Sequence, residues 1–382
     1  MKSNRSNSIL PYLLLLPFCI PEIAYFSEDL SFYIKVWKVI VVLFASFIGL
    51  RNIKLLNGSV RYILGMFLFI IIVSFINRDI PYIIAYEISI IIMFSHYIRK
   101  QDFSILKAFV QIAEFLIIAN FISILIYPNG MYSTVSLTEN VGYDKNWLLG
   151  YKNPMVRFML PACISSHILY IYDSNFKKWR AWGITLISIL TTIMVDSSTG
   201  FGGIMLFSVC ILIYNLNIFK ALRNFFTISK FLVLVLIINL FFLILQDVGY
   251  FSWIIENIFN REANLTGRTS IWTTALELMS NNILCGYGSG SEDILSEFTY
   301  AHHPHNYILY ILLQGGVIAL FLFILSVIYA NQEVNKINCI QLKGIIIGGF
   351  SSFLIMGITE SLTSGFFLFI IYSFCQLKMY RQ

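Results

Sequence analysis

The residues best suited to chemistry lie in one polar interval, residues 260–314, of an otherwise apolar chain. This interval holds three of the five histidines, His302, His303 and His305, in the segment Y-A-H-H-P-H-N-Y. Because histidine changes its charge near neutral pH, it can take the proton of a hydroxyl group during a transfer reaction. Pro304 favours a helix that starts directly after it. We therefore predict His305 at the mouth of a membrane helix, as a general base or only as a polar cap.

Two arginines precede these histidines in the same interval. Arg268 lies in T-G-R-T-S-I-W, where the threonine or serine that follows it can cap a short helix predicted over residues 269–280. The free N–H groups of a helix N-terminus and a planar guanidinium group together suit a diphosphate. The alternative is an amphipathic surface helix whose arginine pairs with Glu262 or with a lipid phosphate. Arg261 is a further candidate ligand for the same diphosphate.

A glycine-rich turn, G-Y-G-S-G over residues 286–290, follows the predicted short helix. Glycine lets the backbone approach a phosphate or a sugar closely, but the P-loop spacing and the strand before a Rossmann turn are both missing. We therefore expect a plain turn, with Tyr287 as a candidate sugar contact. The acidic residues after it, Glu292, Asp293 and Glu297, either bind sugar hydroxyls or only solvate the loop, and solvation is the default interpretation.

A second basic cluster lies in residues 143–157, Y-D-K-N-W-L-L-G-Y-K-N-P-M-V-R. Its last member, Arg157, is predicted to lie one turn inside a membrane helix. A cation at that depth must meet an anion, face the interior of the bundle or reach the membrane interface. Asp196 and Glu360 are its candidate partners.

The composition indicates that a membrane protein carries these residues. Of the 382 residues, 58% are hydrophobic and only 12% are charged, whereas soluble domains usually carry about 25% charged residues. We predict an all-α, polytopic integral membrane protein, a single domain over residues 1–382 with about twelve transmembrane helices. The predicted helices cover residues 9–27, 32–50, 60–77, 80–98, 104–127, 154–172, 180–196, 199–219, 228–246, 305–330, 341–359 and 363–380.

The basic residues indicate the orientation of these helices. With the N-terminus in the cytoplasm and alternating helices, most of the 26 lysines and arginines fall in cytoplasmic loops, as the positive-inside rule requires. Both termini are then cytoplasmic, and two long polar loops, residues 128–153 and 247–304, face outward. The apolar start is interpreted as an uncleaved membrane helix rather than a signal peptide. The chemistry is therefore expected at the outer leaflet, where ATP and nucleotide sugars are absent.

Metal ions, cofactors and nucleic acids are not among the predicted ligands. The three histidines show neither the H-E-x-x-H spacing nor a partnered pair of carboxylates, so we expect no metal site. The formal net charge of +6 comes from basic loops between apolar runs, which is typical of membrane proteins. It does not indicate a nucleic-acid partner.

Consecutive motifs of the chain resemble those of a known family. T-G-R-T-S-I-W, L-C-G-Y-G-S-G and H-P-H-N-Y-I-L-Y-I-L-L-Q-G-G, followed by I-T-E-S-L, are similar to the signature of the O-antigen ligase and Wzy-type polysaccharide polymerase superfamily. The similarity covers residues 260–320 and 355–365. It implies a glycosyltransferase-C-like helical enzyme of the bacterial inner membrane, in which a large extracytoplasmic loop carries short helices and the catalytic residues.

The resemblance also implies a donor and a division of roles. Such enzymes take glycan from an undecaprenyl diphosphate donor in the outer leaflet, without a nucleotide sugar or a metal ion. In related ligases, arginines hold the diphosphate and the histidine of the H-N pair activates the acceptor hydroxyl. These roles fall here on Arg268 and His305, with Arg261 and Arg157 as further candidates for the diphosphate. The candidate glycan contacts are His302, His303, Asn306, Tyr287 and Glu360.

One departure from the ligase pattern favours a polymerase. That pattern often carries an arginine in a serine–arginine–glycine turn, where this chain has S-S-T-G at residues 197–200. Arg157 or Arg261 is a candidate replacement. We therefore expect a polymerase that moves a growing glycan to the non-reducing end of the next lipid-linked repeat unit. Its expected partners are the lipid-linked oligosaccharide, membrane lipid, a chain-length regulator and a flippase.

Two alternatives to the polymerase stay open. A ligase of the same superfamily would move finished glycan to the lipid A core or to protein. A lipid-linked oligosaccharide transporter or flippase would perform no chemistry, and it would need charged residues that face a cavity along several helices. Because the charges of this chain concentrate in the outward loops, the sequence favours an enzyme.

Overall fold

The chain folds into a bundle of α-helices that carries a small β-sheet. A computed structural model describes residues 9–135, 143–244, 268–299, 301–362 and 367–377. The helices are α1 (Leu10–Leu15), α2 (Glu28–Asn52), α3 (Gly58–Ile76), α4 (Tyr82–Arg99), α5 (Ser104–Ile126), α6 (Val156–Tyr172), α7 (Lys178–Met194), α8 (Ser198–Asn215), α9 (Ile228–Ile244), α10 (Arg268–Asn281), α11 (Ser291–Phe298), α12 (Tyr307–Asn335), α13 (Ile340–Met356) and α14 (Ile371–Phe374). Short 3-10 helices cover Leu16–Phe18, Glu22–Phe26, Ile53–Leu55, Asn217–Asn224, Gly288–Gly290 and Leu368–Ile370.

Within the described residues, five helices are long and apolar enough to cross a membrane, namely α2, α3, α5, α8 and α12. A sixth crossing results if residues 218–224 and α9, which meet at an angle of 56°, form one broken span. Helices α6 and α13 are apolar but have only 17 residues each. The prediction of a helical membrane protein is thus supported, whereas the twelve predicted spans are not confirmed.

The first and the last predicted spans differ most from the prediction. Residues 9–27 do not form one helix, because Pro17 and Pro21 lack the N–H group that a continuing helix needs and restrict the residue before them. Of the last predicted span, the described residues 367–377 form only a 3-10 turn and α14, and nearly all of them are buried. Both segments therefore pack as short pieces against the bundle.

The two ends of α3 show how the helix termini are grouped. At the end of α3, the side chain of Asn77 donates a hydrogen bond to the carbonyl of Tyr287 (2.9 Å). At the start of α3, the backbone N–H of Ser59 donates to the carboxylate of Glu333, near the end of α12 (3.2 Å). The short helices α10 and α11 and the glycine-rich turn thus lie on one face of the bundle, opposite the end of α12.

A three-stranded antiparallel sheet, which the all-α prediction did not include, lies between α5 and α6. Its strands are β1 (Tyr132–Val135), β2 (Tyr143–Trp147) and β3 (Gly150–Tyr151), in the order β1-β2-β3. Trp147 donates from Nε1 to the carbonyl of Tyr127 (2.8 Å), and the N–H of Leu149 donates to Asn120 in α5 (2.8 Å). These bonds hold the sheet on the end of α5, and they position the segment that leads into α6.

Helix α12 is not one straight helix, because the chain folds back at Gly315 and Gly316. Gly316 has φ 60° and ψ −161°, a conformation outside the helical region. Tyr307 and Phe323 would lie about 24 Å apart along a straight helix, yet their ring centroids are 5.5 Å apart. Residues 307–314 therefore form a first arm that runs beside the second arm, residues 317–335.

The glycine-rich turn pairs the backbone groups that this fold-back leaves open. In a continuous helix, the N–H of Val317 would donate to the carbonyl of Leu313. Here the carbonyl of Leu313 accepts from the N–H of Tyr287 (2.7 Å), and the N–H of Val317 donates to the carbonyl of Ile283 (2.9 Å). Because unpaired backbone groups are costly inside a membrane, residues 283–287 are a structural part of α12.

Close backbone contact explains why this turn is rich in glycine. A Cβ on Gly286 would lie 2.5 Å from the carbonyl oxygen of Leu313, and one on Gly288 would lie 2.6 Å from the Cα of Ser74. Both glycines also have positive φ, at 65° and 75°. The turn thus packs against α3 and α12, and no phosphate is needed to explain its glycines.

Aromatic packing places the start of α12 well inside the bundle. The Tyr307 ring lies 5.4 Å from Phe353 in α13 and 6.3 Å from Phe369, whose ring is 5.1 Å from Phe67 in the middle of α3. His305, two residues before Tyr307, is therefore recessed below the end of α3. His305 lies directly before the N-cap of α12, at the start of a helix as predicted, and the first arm runs outward from it.

We expect Gly316→Ala to destabilise the protein. The alanine would have to adopt a conformation that costs about 1–3 kcal/mol. Its Cβ would meet the carbonyl group of Leu284 at 2.3 Å, an overpacked contact that costs about 1–3 kcal/mol more. The measurement is thermal unfolding of the purified protein. Gly65→Ala, in α3 with open space around the added Cβ, is the matched control, and an equal melting temperature for both variants would contradict the fold-back.

Candidate active site

His305 and Glu360 converge from two chain segments, one before α12 and the other after α13. Nδ1 of His305 lies 3.9 Å from Oε2 of Glu360, and the two side chains are 31% and 5% exposed. A hydrogen bond of 2.7 Å from the N–H of Tyr307 to the carbonyl of Gly357 joins the segments. The sequence predicted these two residues separately. The structure brings them together and places the histidine beside a buried carboxylate.

Glu360 is held by a chain of hydrogen bonds from the segments that precede two other helices. Its Oε1 accepts a bond from Nδ2 of Asn153, just before α6 (2.8 Å). Oδ1 of Asn153 in turn accepts from the hydroxyl of Ser197, just before α8 (3.1 Å). Because Oε1 is engaged by Asn153, Oε2 is the oxygen that faces the imidazole of His305.

The backbone of His305 has φ 48°, in the left-handed region. Histidine is enriched there relative to most residues, but the conformation still costs energy that the surroundings must supply. The next residue, Asn306, contributes stabilising hydrogen bonds that offset part of this cost. Its Oδ1 accepts from the N–H of Leu309 and caps α12 (3.0 Å). Nδ2 of Asn306 donates to the side chain of Asn239 and to the carbonyl of Ile358. Asn306 thus fixes the position of His305.

Trp272 joins α10 to the histidine segment. Its Nε1 donates to the carbonyl of Pro304, directly before His305 (2.7 Å). Arg268 is the first residue of α10, one helical turn before Trp272 and about 6 Å from it along the axis. The predicted helix over residues 269–280 is therefore present, and it begins next to the His305 segment. The side chain of Arg268 and the whole of Arg261 lie outside the described residues.

Arg157 lies in the first turn of α6, as predicted, and its field reaches two carboxylates. These are Glu87 in α4 and Glu292 in α11, on which the positive charge of Arg157 acts directly. Asp196, a partner that the sequence suggested for Arg157, is exposed at the turn before α8. Arg157 is thus partly buried, and its charge acts on acidic residues that the sequence analysis did not pair with it.

Glu292 is held inside the protein and does not only solvate a loop. Its Oε1 accepts from the hydroxyl of Tyr310 (2.7 Å), which accepts from Nε2 of Gln314 (2.8 Å). Burial raises the pKa of Glu292 above its usual value, and the hydrogen bond from Tyr310 and the charges of His302 and Arg157 oppose that rise. The default interpretation of Glu292 as a solvating residue is therefore corrected.

A cavity of about 210 Å³ lies near the His305–Glu360 pair, although neither residue is part of its lining. It lies between α3, α4, α11 and the first arm of α12, and its lining includes Tyr307 and Leu362. Each of these is two residues away from a member of the pair. Four carboxylates line the same cavity, Asp79, Glu87, Glu292 and Asp293.

The remaining predicted contacts take different positions around the pair. The ring of His303 lies 4.3 Å from that of His305, between centroids, whereas His302 is exposed. Tyr287 donates its hydroxyl to the carbonyl of Leu278 (2.8 Å), so it ties the glycine-rich turn to α10. Burial raises the pKa of Tyr151 to about 12, and the carboxylate of Glu360 acts in the same direction. Tyr151 is therefore a neutral hydroxyl near the pair.

Sequence reasoning missed several residues that shape this site. Glu87 had a usable signal, because a carboxylate inside an apolar helix marks a functional position by default. Tyr310 and Gln314 had none, since their contacts depend on the fold-back of α12. Asn153 was noted only within a motif, and Trp272 only as part of the arginine segment. Their roles arise from contacts between segments that are far apart in the chain.

Residues 162–324 match the family model Wzy_C, described as O-antigen ligase. The matched region contains Arg268 and His305 but not Arg157 or Glu360. No curated protein shows a significant match to the chain. The match supports the O-antigen ligase and Wzy superfamily that the motifs suggested. Together with the apolar helices, it supports glycan transfer of the O-antigen type by a bacterial membrane protein, and it does not separate a polymerase from a ligase.

We expect Asn306→Ala to destabilise the protein, because Asn306 positions the site. Loss of the cap costs about 1 kcal/mol, and buried acceptors left without a donor cost about 1–3 kcal/mol more. Thermal unfolding of the purified protein measures the change. Asn281→Ala, an exposed asparagine at the end of α10, is the control and should unfold like the wild type. An unchanged melting temperature for Asn306→Ala would contradict its positioning role.

Proposed function

We propose that this chain is a polysaccharide repeat-unit polymerase, a glycosyltransferase that acts at the outer leaflet of the bacterial cytoplasmic membrane. It transfers a growing glycan from undecaprenyl diphosphate to the non-reducing end of another lipid-linked repeat unit. The observation that carries the proposal is the recessed His305–Glu360 pair, with Nδ1 and Oε2 3.9 Å apart. The family match over residues 162–324 supports glycan transfer of this general type.

His305 is the general base of the proposed reaction. Because Nδ1 faces Glu360, Nε2 on the opposite edge of the ring receives the proton of the acceptor hydroxyl. The acceptor oxygen bonds to the anomeric carbon of the donor glycan, and the bond from that carbon to the diphosphate oxygen breaks. The carboxylate of Glu360 stabilises the imidazolium that forms, as in other histidine–carboxylate pairs. The step uses neither a nucleotide sugar nor a metal ion.

Arginines neutralise the diphosphate that leaves. Undecaprenyl diphosphate keeps the electron pair of the broken bond, so its negative charge increases as the bond breaks. Arg268, at the N-terminus of α10, is the proposed main ligand, because a guanidinium group and free N–H groups both favour phosphate oxygens. Arg157 or Arg261 is the second. The link from Trp272 to Pro304 supports a donor site directly beside His305.

The remaining predicted glycan contacts divide into two groups. His302 is exposed and the ring of His303 packs edge-to-face against that of His305, so both are proposed to contact the glycan. Tyr287 and Asn306 already bond to protein groups, and Glu360 bonds to Asn153. We assign Tyr287 and Asn306 the task of holding the site in shape, while Glu360 acts on the imidazole of His305 and does not contact the glycan.

A ligase of the same superfamily is the second candidate function. The description of the matched family model, O-antigen ligase, favours it. In a ligase, the same histidine and arginines would serve an acceptor on the lipid A core or on a protein. A polymerase and a ligase form different products, so the identity of the product distinguishes the two functions.

We expect His305→Ala to abolish chain elongation, because general base catalysis contributes about 10²–10⁴-fold. The measurement is electrophoresis of surface polysaccharide from a deletion strain that expresses the wild type or the variant. Single capped repeats with no long polymer are the expected product of both the deletion strain and the variant. His96→Ala is the control, because His96 lies in the last turn of α4 and is not part of the candidate site. This variant should restore the polymer.

Other products of this experiment would contradict the proposal in distinct ways. Polymer of wild-type length from His305→Ala would overturn the role of His305. Full-length polymer that stays lipid-linked in the deletion strain would identify a ligase. Complete absence of surface sugar, with single repeats trapped inside, would identify a flippase.

We expect Glu360→Gln to slow elongation without abolishing it. Glutamine keeps the size of the side chain and an oxygen for Asn153, but it removes the charge that stabilises the imidazolium. Expression and membrane insertion should match the wild type. The measurement is the rate of polymer growth in membranes supplied with lipid-linked repeats. A wild-type rate for Glu360→Gln would show that the carboxylate has no part in the reaction.

A further inference from the structure

The cavity beside the His305–Glu360 pair extends from the end of α3 into the bundle. Asp79 and Gly290 line its outer part, and Phe67 and Tyr307 line its inner part. Phe67 lies in the middle of α3, whereas Asp79 follows its end. A group that enters past Asp79 can therefore reach Tyr307, two residues after His305 in the chain.

Glu87 points to a ligand in this cavity. Its side chain lines the cavity and is only 5% exposed. Among the described residues, no hydrogen bond or ion pair of the Glu87 carboxylate is found, although the field of Arg157 acts on it. A buried polar group that bonds to nothing in the protein is costly. Its oxygens are thus available to a group in the cavity.

The chemistry of the lining excludes two kinds of ligand. The acidic side chains Asp79 and Asp293 of the lining disfavour the entry of a diphosphate or any other anion. The lining also does not form a metal site, because no cluster of three His, Cys, Asp or Glu side chains in the described chain is suited to hold a metal ion. The ligand is therefore an organic group without negative charge.

The lining is suited to a sugar ring. Carboxylate oxygens accept hydrogen bonds from hydroxyl groups, and Glu87 and Glu292 offer them from opposite elements, α4 and α11. Tyr82 and Tyr310 provide aromatic surface, and Gln314 provides a further polar group. A mainly apolar cleft with a few convergent polar groups is typical of small-ligand sites.

We propose that this cavity binds the terminal pyranose of the acceptor and selects a sugar without an anionic group. Glu87 and Glu292 accept hydrogen bonds from its hydroxyls or from a protonated amino group, and the acidic lining, which includes Asp79 and Asp293, disfavours uronic and other acidic sugars. The inference rests on the proposed transfer function and extends it, because it names the class of sugar that receives the glycan. Arg268 remains with the donor diphosphate, so the donor group meets a basic side chain and the acceptor sugar meets acidic ones.

The test measures sugar binding to the purified full chain in lipid nanodiscs. The probes are methyl glucoside, methyl glucosaminide, which carries a protonated amine, and methyl glucuronide, which carries a carboxylate. Saturation-transfer NMR should detect the first two and not the third. Glu87→Gln should weaken binding of the glucosaminide about tenfold or more, because glutamine cannot form an ion pair with the ammonium group of this sugar.

Glu297→Gln is the matched control, since Glu297 lies exposed on α11 and does not line the cavity. It should bind all three probes like the wild type. Glu292→Gln is a second test variant in case Glu87→Gln fails to fold, and it should also weaken binding of the glucosaminide. Binding of the glucuronide as strong as that of the glucosaminide would overturn the proposal. Wild-type binding by folded Glu87→Gln and Glu292→Gln would do the same.

Two measurements, sugar binding and polymer elongation, distinguish a failure of the sugar site from a failure of the proposed reaction. His305→Ala should bind the glucoside and the glucosaminide like the wild type, while it fails to elongate the polymer. If it elongates normally and the selectivity for sugars persists, the proposed reaction fails and the sugar site stands. If it stops elongation but no selectivity is observed, only the sugar site fails.

Discussion

The structure depends on the need to pair every backbone group where α12 folds back at Gly315 and Gly316. The fold-back breaks the helical hydrogen bond from the N–H of residue 317 to the carbonyl of residue 313. Residues 283–287 supply the missing partners of both groups. An apolar interior offers no water for this purpose. The glycine-rich turn is thereby bound to α12, and α10 and α11 on either side of it are held over the bundle. The same fold-back sends the first arm outward from His305, which recesses this partly exposed histidine below the end of α3.

Two groups of charges share the recess that results. On one side, His305 meets Glu360, which Asn153 orients. On the other side, Glu87 and the remaining acidic residues line a cavity that Tyr307 and Leu362 connect to the pair. Arg157 acts on the carboxylates of the cavity. Under the proposed function, Arg268 binds the anionic donor group and the acidic lining of the cavity receives an uncharged or cationic acceptor sugar, so electrostatics helps to orient the two substrates.

Much of the candidate site was predictable from local sequence. The short helix after Arg268 follows from capping residues, and the start of a helix after Pro304 follows from the geometry of proline. The plain turn at residues 286–290 was also expected, but its task of pairing α12 was not. Glu292 was misjudged because an acidic residue in a polar loop usually contacts water. The twelve predicted spans are not confirmed, since hydropathy counts apolar residues and cannot detect a short segment buried against other helices.

The sequence by itself determined the class of the protein, the polar interval and the residue types at its centre, because composition, proline and capping act locally. Only the tertiary structure decided that His305 meets Glu360, that Glu292 is held by Tyr310, and that Glu87 faces a cavity. These contacts join segments far apart in the chain, and their geometry depends on one non-helical residue, Gly316. Local patterns show that such a glycine permits a break. Whether the helix breaks there depends on the partner segment that pairs the exposed backbone groups.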